Sequence, residues 1–216
     1  MGAVTLAARL AAVPALTRPD LLAPPVLAAL RASADADQVA VAEIDPALAD
    51  TASFCAHYGV GAEESANCVV VAGRRSQTTT MAACVVLAST RADVNGLVRR
   101  HLGARKASFA PMEEAVALTG MEYGGITPIG LPQGWPILVD PAVTTRDVVI
   151  GSGVRRSKLV VPGVLLGRLP GAVVLDGLGQ PTDRPESSSA DHAEDGDGVA
   201  FGARIHTNRA SRVEPD

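Results

Sequence analysis

The most continuous hydrophobic pattern in the chain is a pair of apolar runs, CVVVA at 68–72 and AACVVLA at 82–88, separated by the polar segment Gly73–Thr80. Unbroken runs of this kind predict strands covered on both faces, and the polar segment predicts a hairpin connection. Upstream, QVAVAEI at 38–44 alternates apolar and polar positions as a half-buried strand does. Asp45-Pro46 supplies an N-cap followed by proline at the first helical position, and Gly59 a stop. A helix is therefore expected between them, burying Leu48, Phe54 and Cys55 against a sheet. Residues 1–33 are rich in Ala and Leu, and Pro14, Pro19, Pro24 and Pro25 divide them into short helical pieces.

Downstream, Thr90 with Asp93 resembles a capping box. Val94, Leu97, Val98 and Leu102 then recur at helical spacing, with Arg99 and Arg100 outward and Gly103 as the stop. Pro111, Glu113 and Glu114 open a second short helix that ends at Gly120. Apolar segments at 136–139, 147–150 and 158–161 predict three strands, followed by a short helix near 163–169 and a strand at 172–175. The elements lack a regular βαβ period. The expected class is a mixed α/β (α+β) domain over 38–178, built on a partly barrel-like sheet with flanking helices and preceded by an N-terminal helical segment, 1–37. From Gly179 the hydrophobic pattern stops. The stretch GQPTDRPESSSADHAEDGDG cannot bury enough apolar area to offset its ordering entropy, so 179–216 is expected to be a disordered acidic tail.

Composition narrows the function classes. The chain is 47% hydrophobic and 19% charged, which supports a core, but only 3% aromatic, so the core rests on Ala, Val and Leu. Platforms of exposed rings for stacking bases are not expected. The net charge of -4 lies entirely in residues 180–216, which leaves a neutral body and no global field for DNA. Cys55, Cys68 and Cys84 show neither disulfide nor zinc spacing and read as buried thiols in a reducing cytoplasm. No metal and no cofactor is expected. Arg9 and Pro14 interrupt the apolar N-terminus, so a signal peptide is not expected, and no apolar run is long enough for a membrane span.

Two stretches carry candidate chemistry. In Gly120–Pro132, GMEYGGITPIGLP, the Gly124-Gly125 pair allows a ligand to approach the backbone, and Pro128 stiffens the exit. Successive amides in such a loop form a concave donor array for a carbonyl oxygen or an oxyanion. An ordinary tight loop has the same composition. In Ile150–Lys158, IGSGVRRSK, Gly151 and Gly153 flank Ser152, and Arg155, Arg156 and Lys158 follow. Guanidinium groups there suit phosphate, and a solvated charged bend is the competing reading. Ser152 lacks a nucleophile elbow, and neither His57 nor His101 bears a visible relation to it. His192 and His206 fall in the tail and are assigned no ligand role.

Taken in order, VVVAG at 69–73, the segment CVVLASTRADVNGLVRRHLGARKASFAPMEEAVALTG at 84–120, GGITPIGLP at 124–132 and VVIGSGVRRSKLVVP at 148–162 resemble the YbaK/ProX aminoacyl-tRNA deacylases. The resemblance covers roughly residues 38–178. It implies hydrolysis of the ester joining a wrong, small amino acid to the terminal adenosine of tRNA. It further implies that the Gly-x-x-x-Pro loop, here Gly124 to Pro128, holds the substrate carbonyl on the amides of Gly124, Gly125, Ile126 and Thr127. Water would be aligned by the substrate's ribose hydroxyl, and selection would be steric. Gly151, Ser152 and Gly153 would line the pocket, with Arg155 toward phosphate. The implied partners are the 3′ end of aminoacyl-tRNA and a synthetase. The family's lysine at the start of a central strand is replaced here by Asn67, beside the terminal adenosine. Either Arg155, Arg156 or Lys158 supplies the missing charge, or the domain is a catalytically silent module that binds an aminoacyl or nucleotide-like ligand or a synthetase.

Overall fold

The fold is that of a computed structural model, in which residues 5–182 are described. In chain order its elements are α1 (Leu6–Arg9), β1 (Val13–Pro14), α2 (Pro24–Ala32), β2 (Ala40–Glu43), α3 (Thr51–Tyr58), β3 (Ala66–Arg75), β4 (Thr78–Leu87), β5 (Thr90–Ala92), α4 (Arg99–His101) and β6 (Lys106–Phe109). They continue with α5 (Met112–Thr119), β7 (Ile137–Val139), α6 (Pro141–Thr144), β8 (Asp147–Gly151), β9 (Ser157–Pro162), α7 (Gly163–Leu166), β10 (Ala172–Val174) and β11 (Gly179–Pro181).

The two apolar runs form the hairpin β3–β4, antiparallel from Ala66 opposite Leu87 to Arg75 opposite Thr78. It is the centre of a five-stranded sheet of order β10-β7-β4-β3-β6, in which β7 runs parallel to β4 and β10 parallel to β7. A second sheet has the order β1-β2-β9-β8, and a parallel bridge between Ser65 and Val149 joins the two. The sheets do not close into a barrel, and strands and helices are mixed, as the α+β class expects.

Strand β4 is covered on both faces, as its unbroken apolar run requires. Val85 packs into a cluster with Val139, Val148, Ile150 and Leu159, capped by Val26 and Leu30 of α2. Cys84 and Val86, on the other face, pack with Val94, Val98 and Leu138. A third cluster gathers Leu6, Leu10, Ile44, Val149 and Val160 around Phe54, which is fully buried on α3. Asp50 caps α3 by accepting the Ser53 amide, and Gly59 ends it in the left-handed conformation. The helix begins later than Asp45-Pro46 alone implies. That pair instead starts a short 3-10 turn, Pro46–Leu48, and leaves Leu48 half-buried.

The N-terminal segment contributes Leu21, Leu22, Val26 and Leu30 to the main core. Two sequence expectations change. Thr90 does not cap a helix; it lies in β5, and Asp93 is the cap, accepting the Gly96 and Leu97 amides at 2.9 and 2.8 Å. The turn that follows is π-helical over Val94–Val98 before it tightens into α4. The ordered fold also runs past 179: β11 pairs antiparallel with β5, from Gly179 opposite Ala92 to Pro181 opposite Thr90. The rest of the expected tail, 183–216, lies outside the described residues.

Asp140 holds this last strand. One carboxylate oxygen caps α6 through the Ala142 amide at 2.9 Å, and the other accepts the Gly179 amide at 2.7 Å. Asp140→Ala leaves both amides without that partner, and a loss of about 2 kcal/mol is expected from hydrogen bonds to a charged acceptor. Urea unfolding with an unchanged m-value checks it.

Candidate active site

Helix α5 ends at Gly120, and Met121 follows it into the core, 2% exposed. From there two glycine-rich loops close on each other. The Glu122 amide donates to the Gly153 carbonyl at 2.8 Å, and the Gly153 amide donates to the Gly125 carbonyl at 2.8 Å. The Glu122 carboxylate accepts the Arg155 amide at 2.6 Å. This approach needs bare α-carbons. A Cβ on Gly151 would stand 2.2 Å from the Gly125 carbonyl oxygen and 2.7 Å from that of Ile126, and one on Gly125 would stand 2.8 Å from the backbone of Val154.

Of the four amides the resemblance assigned to an acyl oxygen, one is already used. The Gly125 amide donates to the Glu122 carbonyl at 2.9 Å, closing a tight turn. Those of Gly124, Ile126 and Thr127 have no acceptor among the described residues. Gly124 is exposed, Ile126 is half-buried, and Thr127 and Pro128 are buried. The Thr127 hydroxyl is buried and has no hydrogen-bond partner among the described residues. The loop thus keeps three donors, on either side of the one it uses internally.

Strand register brings the remaining residues to the same place. Ser65, just before β3, bridges Val149 in parallel and so sets the start of β3 beside β8. Gly151 in turn lies opposite Lys158. Counted on from that bridge, Asn67, Gly151 and Lys158 fall in one row across β3, β8 and β9, with the Gly125–Ile126 backbone lying over the glycine in the middle. Both flanking side chains reach the start of α3. Asn67 Oδ1 accepts the Thr51 hydroxyl at 2.7 Å, and Lys158 Nζ donates to the Ala49 carbonyl at 2.8 Å. The Lys158 ammonium also stands 5.4 Å from the centre of the Phe54 ring. Lys158 is 7% exposed, and burial pushes its pKa below the ordinary lysine value.

Other residues singled out in the sequence serve the scaffold. Ser152 does not open onto a cleft: it is fully buried, its hydroxyl 2.7 Å from that of Ser157, which donates to the Leu21 carbonyl at 2.6 Å. Gly153 faces Ala23, Val26 and Met121, inside the core. Arg155 does not present a free guanidinium, since it donates to the carbonyls of Tyr123 at 3.3 Å and Pro46 at 3.0 Å. It thereby ties the glycine loop to the turn before α3. Arg156 donates to the Asp20 carbonyl. The thiols of Cys55, Cys68 and Cys84 are all pushed up by burial, that of Cys84 to about 12, which suppresses thiolate chemistry. Tyr123, 59% exposed beside Gly124, is a ring that composition alone did not place on the surface. A surface depression lined by Leu6, Glu64, Thr145, Arg146 and Asp147 lies at the opposite end of β8 and includes none of these groups.

The sequence puts Lys158 both at the end of the charged bend and at the start of the strand 158–161; the structure places it in that strand with its side chain buried. The signal was its position directly before LVV, because a lysine that opens a buried strand has no route to water along the sheet.

Two glycine loops on an open, mixed sheet, offering main-chain donors, define a domain whose site depends on few side chains. The aminoacyl-tRNA editing domain family matches residues 45–169, a span that contains both loops and every strand from β3 to β9, and the chain belongs to that family. Among solved structures, a candidate trans-editing enzyme for prolyl-tRNA synthetase is similar at 23% identity and a TM-score of 0.60, over 71% of this chain and 94% of that one. A hypothetical protein is similar at 24% identity and a TM-score of 0.57, over 65% and 90%. A scaffold used for computational epitope grafting is similar at 22% identity and a TM-score of 0.61, over 71% and 95%. At these identities the likeness is one of fold. No curated protein matches the chain. Among the described residues, no helix is long and apolar enough to cross a membrane.

Proposed function

We propose that the protein is a trans-editing aminoacyl-tRNA deacylase, which hydrolyses the ester between a small, wrongly attached amino acid and the terminal adenosine of tRNA in the cytoplasm. The observation that carries this reading is the set of uncommitted amides at Gly124, Ile126 and Thr127, next to the row formed by Asn67, Gly151 and Lys158. Amides fixed in a loop are aligned before the reaction, so they stabilise the charge that develops on the acyl oxygen without reorganising. Each such donor contributes about 2.7–4 kcal/mol where it has been measured in a protease.

In this reading the acyl carbonyl lies against the loop, with the ribose toward Asn67. Water is aligned by the ribose hydroxyl of the substrate, and no metal or cofactor takes part. Pro128 and the turn closed by Gly125 keep the donors in place. Bulky acyl groups are excluded by the closeness of the loop to Gly151 and Arg155. Arg155 acts as a brace across the two walls rather than as a phosphate ligand. A synthetase is a further partner in keeping with the family.

The test is deacylation of a panel of mischarged tRNAs. Small aminoacyl esters are expected to turn over at least about 100-fold above the uncatalysed rate, the contribution of one such donor, and bulky ones to remain at background. Background rates throughout the panel would exclude the reading. One observation favours a catalytically silent binding module: Asn67 Oδ1 is already engaged by Thr51. Asn67→Lys separates the two. A wild type that binds aminoacyl-tRNA without turnover, together with a variant that gains hydrolysis, establishes the silent module.

A further inference from the structure

We propose that Lys158 supplies the positive charge of the site, its buried ammonium stabilising the oxyanion of the acyl ester from β9 in place of a lysine at position 67. This rests on the deacylase reading. Three observations support it.

The first is an unbalanced charge. Lys158 is 7% exposed, yet it makes no ion pair among the described residues, and its only acceptor there is the Ala49 carbonyl. An ammonium has three protons to donate, so two are left over. A buried charge without an anionic partner is costly, and a methionine of similar length would pack in its place more cheaply. The Phe54 ring offsets only part of that cost. The missing partner is an anion that is present only during turnover.

The second is placement. Lys158 is the cross-strand neighbour of Gly151, the residue the Gly125–Ile126 backbone covers. The absent Gly151 side chain leaves the space between Lys158 and Asn67 to that loop. The third is that Lys158 and Asn67 grip the same turn, through Ala49 and Thr51. A charge displaced from β3 to β9 therefore still acts at the start of α3.

The titratable and charged groups that face the ammonium are Asp50 and Cys55 from α3 and Arg155 from the β8–β9 loop. Glu122 of the glycine loop is held by the Arg155 amide, and Glu43 of β2 is exposed. In the reaction, water oxygen bonds to the acyl carbon and the carbonyl π pair moves onto its oxygen, facing the loop amides and the ammonium. Collapse re-forms the carbonyl and breaks the bond to the ribose oxygen. That oxygen leaves with the proton lost by the water, relayed by the neighbouring ribose hydroxyl. Lys158 keeps its proton throughout.

The test compares wild type, Lys158→Met, Lys158→Arg and the double variant Asn67→Lys/Lys158→Met, on the small aminoacyl-tRNA that wild type hydrolyses fastest. Lys158→Met is expected to lower kcat about 100-fold with KM nearly unchanged. The double variant is expected to recover at least about tenfold, because the charge returns from the other strand. The pH profile gives a readout that a packing role would not move. The ammonium is the active form, so rate is lost as pH rises through its pKa, which burial has brought below the ordinary lysine range. Arginine does not deprotonate, so Lys158→Arg loses that alkaline limb while the titration of the substrate's own amine is unchanged.

An unchanged kcat in Lys158→Met, or identical alkaline limbs in wild type and Lys158→Arg, overturns the proposal and leaves the deacylase reading standing. A wild type inert on every ester overturns both. If Lys158→Met does not fold by circular dichroism, Lys158→Gln replaces it, and a wild-type profile without an alkaline limb is sufficient to reject the proposal.

Discussion

On the deacylase reading, Gly151→Ala is expected to lower kcat/KM for ester hydrolysis at least about 100-fold, the loss that follows when a loop carrying oxyanion donors is displaced. The added methyl would sit 2.2 Å from the Gly125 carbonyl oxygen and 2.7 Å from that of Ile126, both backbone atoms that no side-chain rotation can move aside. The loop has to lift, and lifting it breaks the bond from the Gly153 amide to the Gly125 carbonyl. Overpacking of this kind costs about 1–3 kcal/mol, so the protein stays folded while the donors move off target. Single-turnover deacylation and a urea midpoint, measured on the same preparation, check both parts. Gly61→Ala is the control, because the nearest atom to its Cβ is the Glu64 carboxylate at 3.4 Å, an ordinary contact. Full activity in Gly151→Ala would mean that the loop does not hold the substrate.

Phe54→Ala is expected to cost about 3–5 kcal/mol, the range for deleting a buried ring, and to be the most destabilising single change considered. Phe54 is fully buried, lies 5.1 Å from the Tyr58 ring, and is the centre of the cluster that holds α3 against β2, β8 and β9. Its loss also removes the ring beneath the Lys158 ammonium. Phe54→Leu keeps most of the volume and is expected to lie between wild type and Phe54→Ala. Urea unfolding should give that order, and a Phe54→Ala variant within about 1 kcal/mol of wild type would contradict it, because that is the scale of a surface substitution.

What could be read from the chain beforehand depended on how far apart the interacting residues lie. The β3–β4 hairpin was legible because its apolar residues are consecutive. The stop at Gly59 and the one at Gly120 were legible because a left-handed C-terminal residue is a local requirement. Strands β1 and β6 were not, because they are edges: Val13 and Pro14 are exposed, and Lys106, Ser108 and Phe109 face solvent, so no burial pattern marks them. Strand β11 was hidden for a different reason. Its pairing with β5 uses main-chain groups, and its anchor, Asp140, lies far away in sequence.

The site divides in the same way. The Gly124–Pro128 loop announces itself by composition, but which amides stay uncommitted depends on the turn that Glu122 closes with Gly125. Ser152, set between two glycines, read as part of an open pocket. Its hydroxyl points instead to Ser157, a contact that spacing does not encode. The row from Asn67 to Lys158 depends on register across three strands from two sheets, which no local pattern specifies.

Arg155 spans from the Tyr123 carbonyl to that of Pro46, and so it is a crossbar between the glycine loop and the turn before α3. On the deacylase reading, the donors that would perform the chemistry lie in the loop, whereas the gap an acyl group must pass would be set in part by the reach of one guanidinium. Selectivity and rate would then be tunable through different residues. A lineage could retune which amino acid is admitted by changing this one strut, leaving the hydrolytic apparatus untouched.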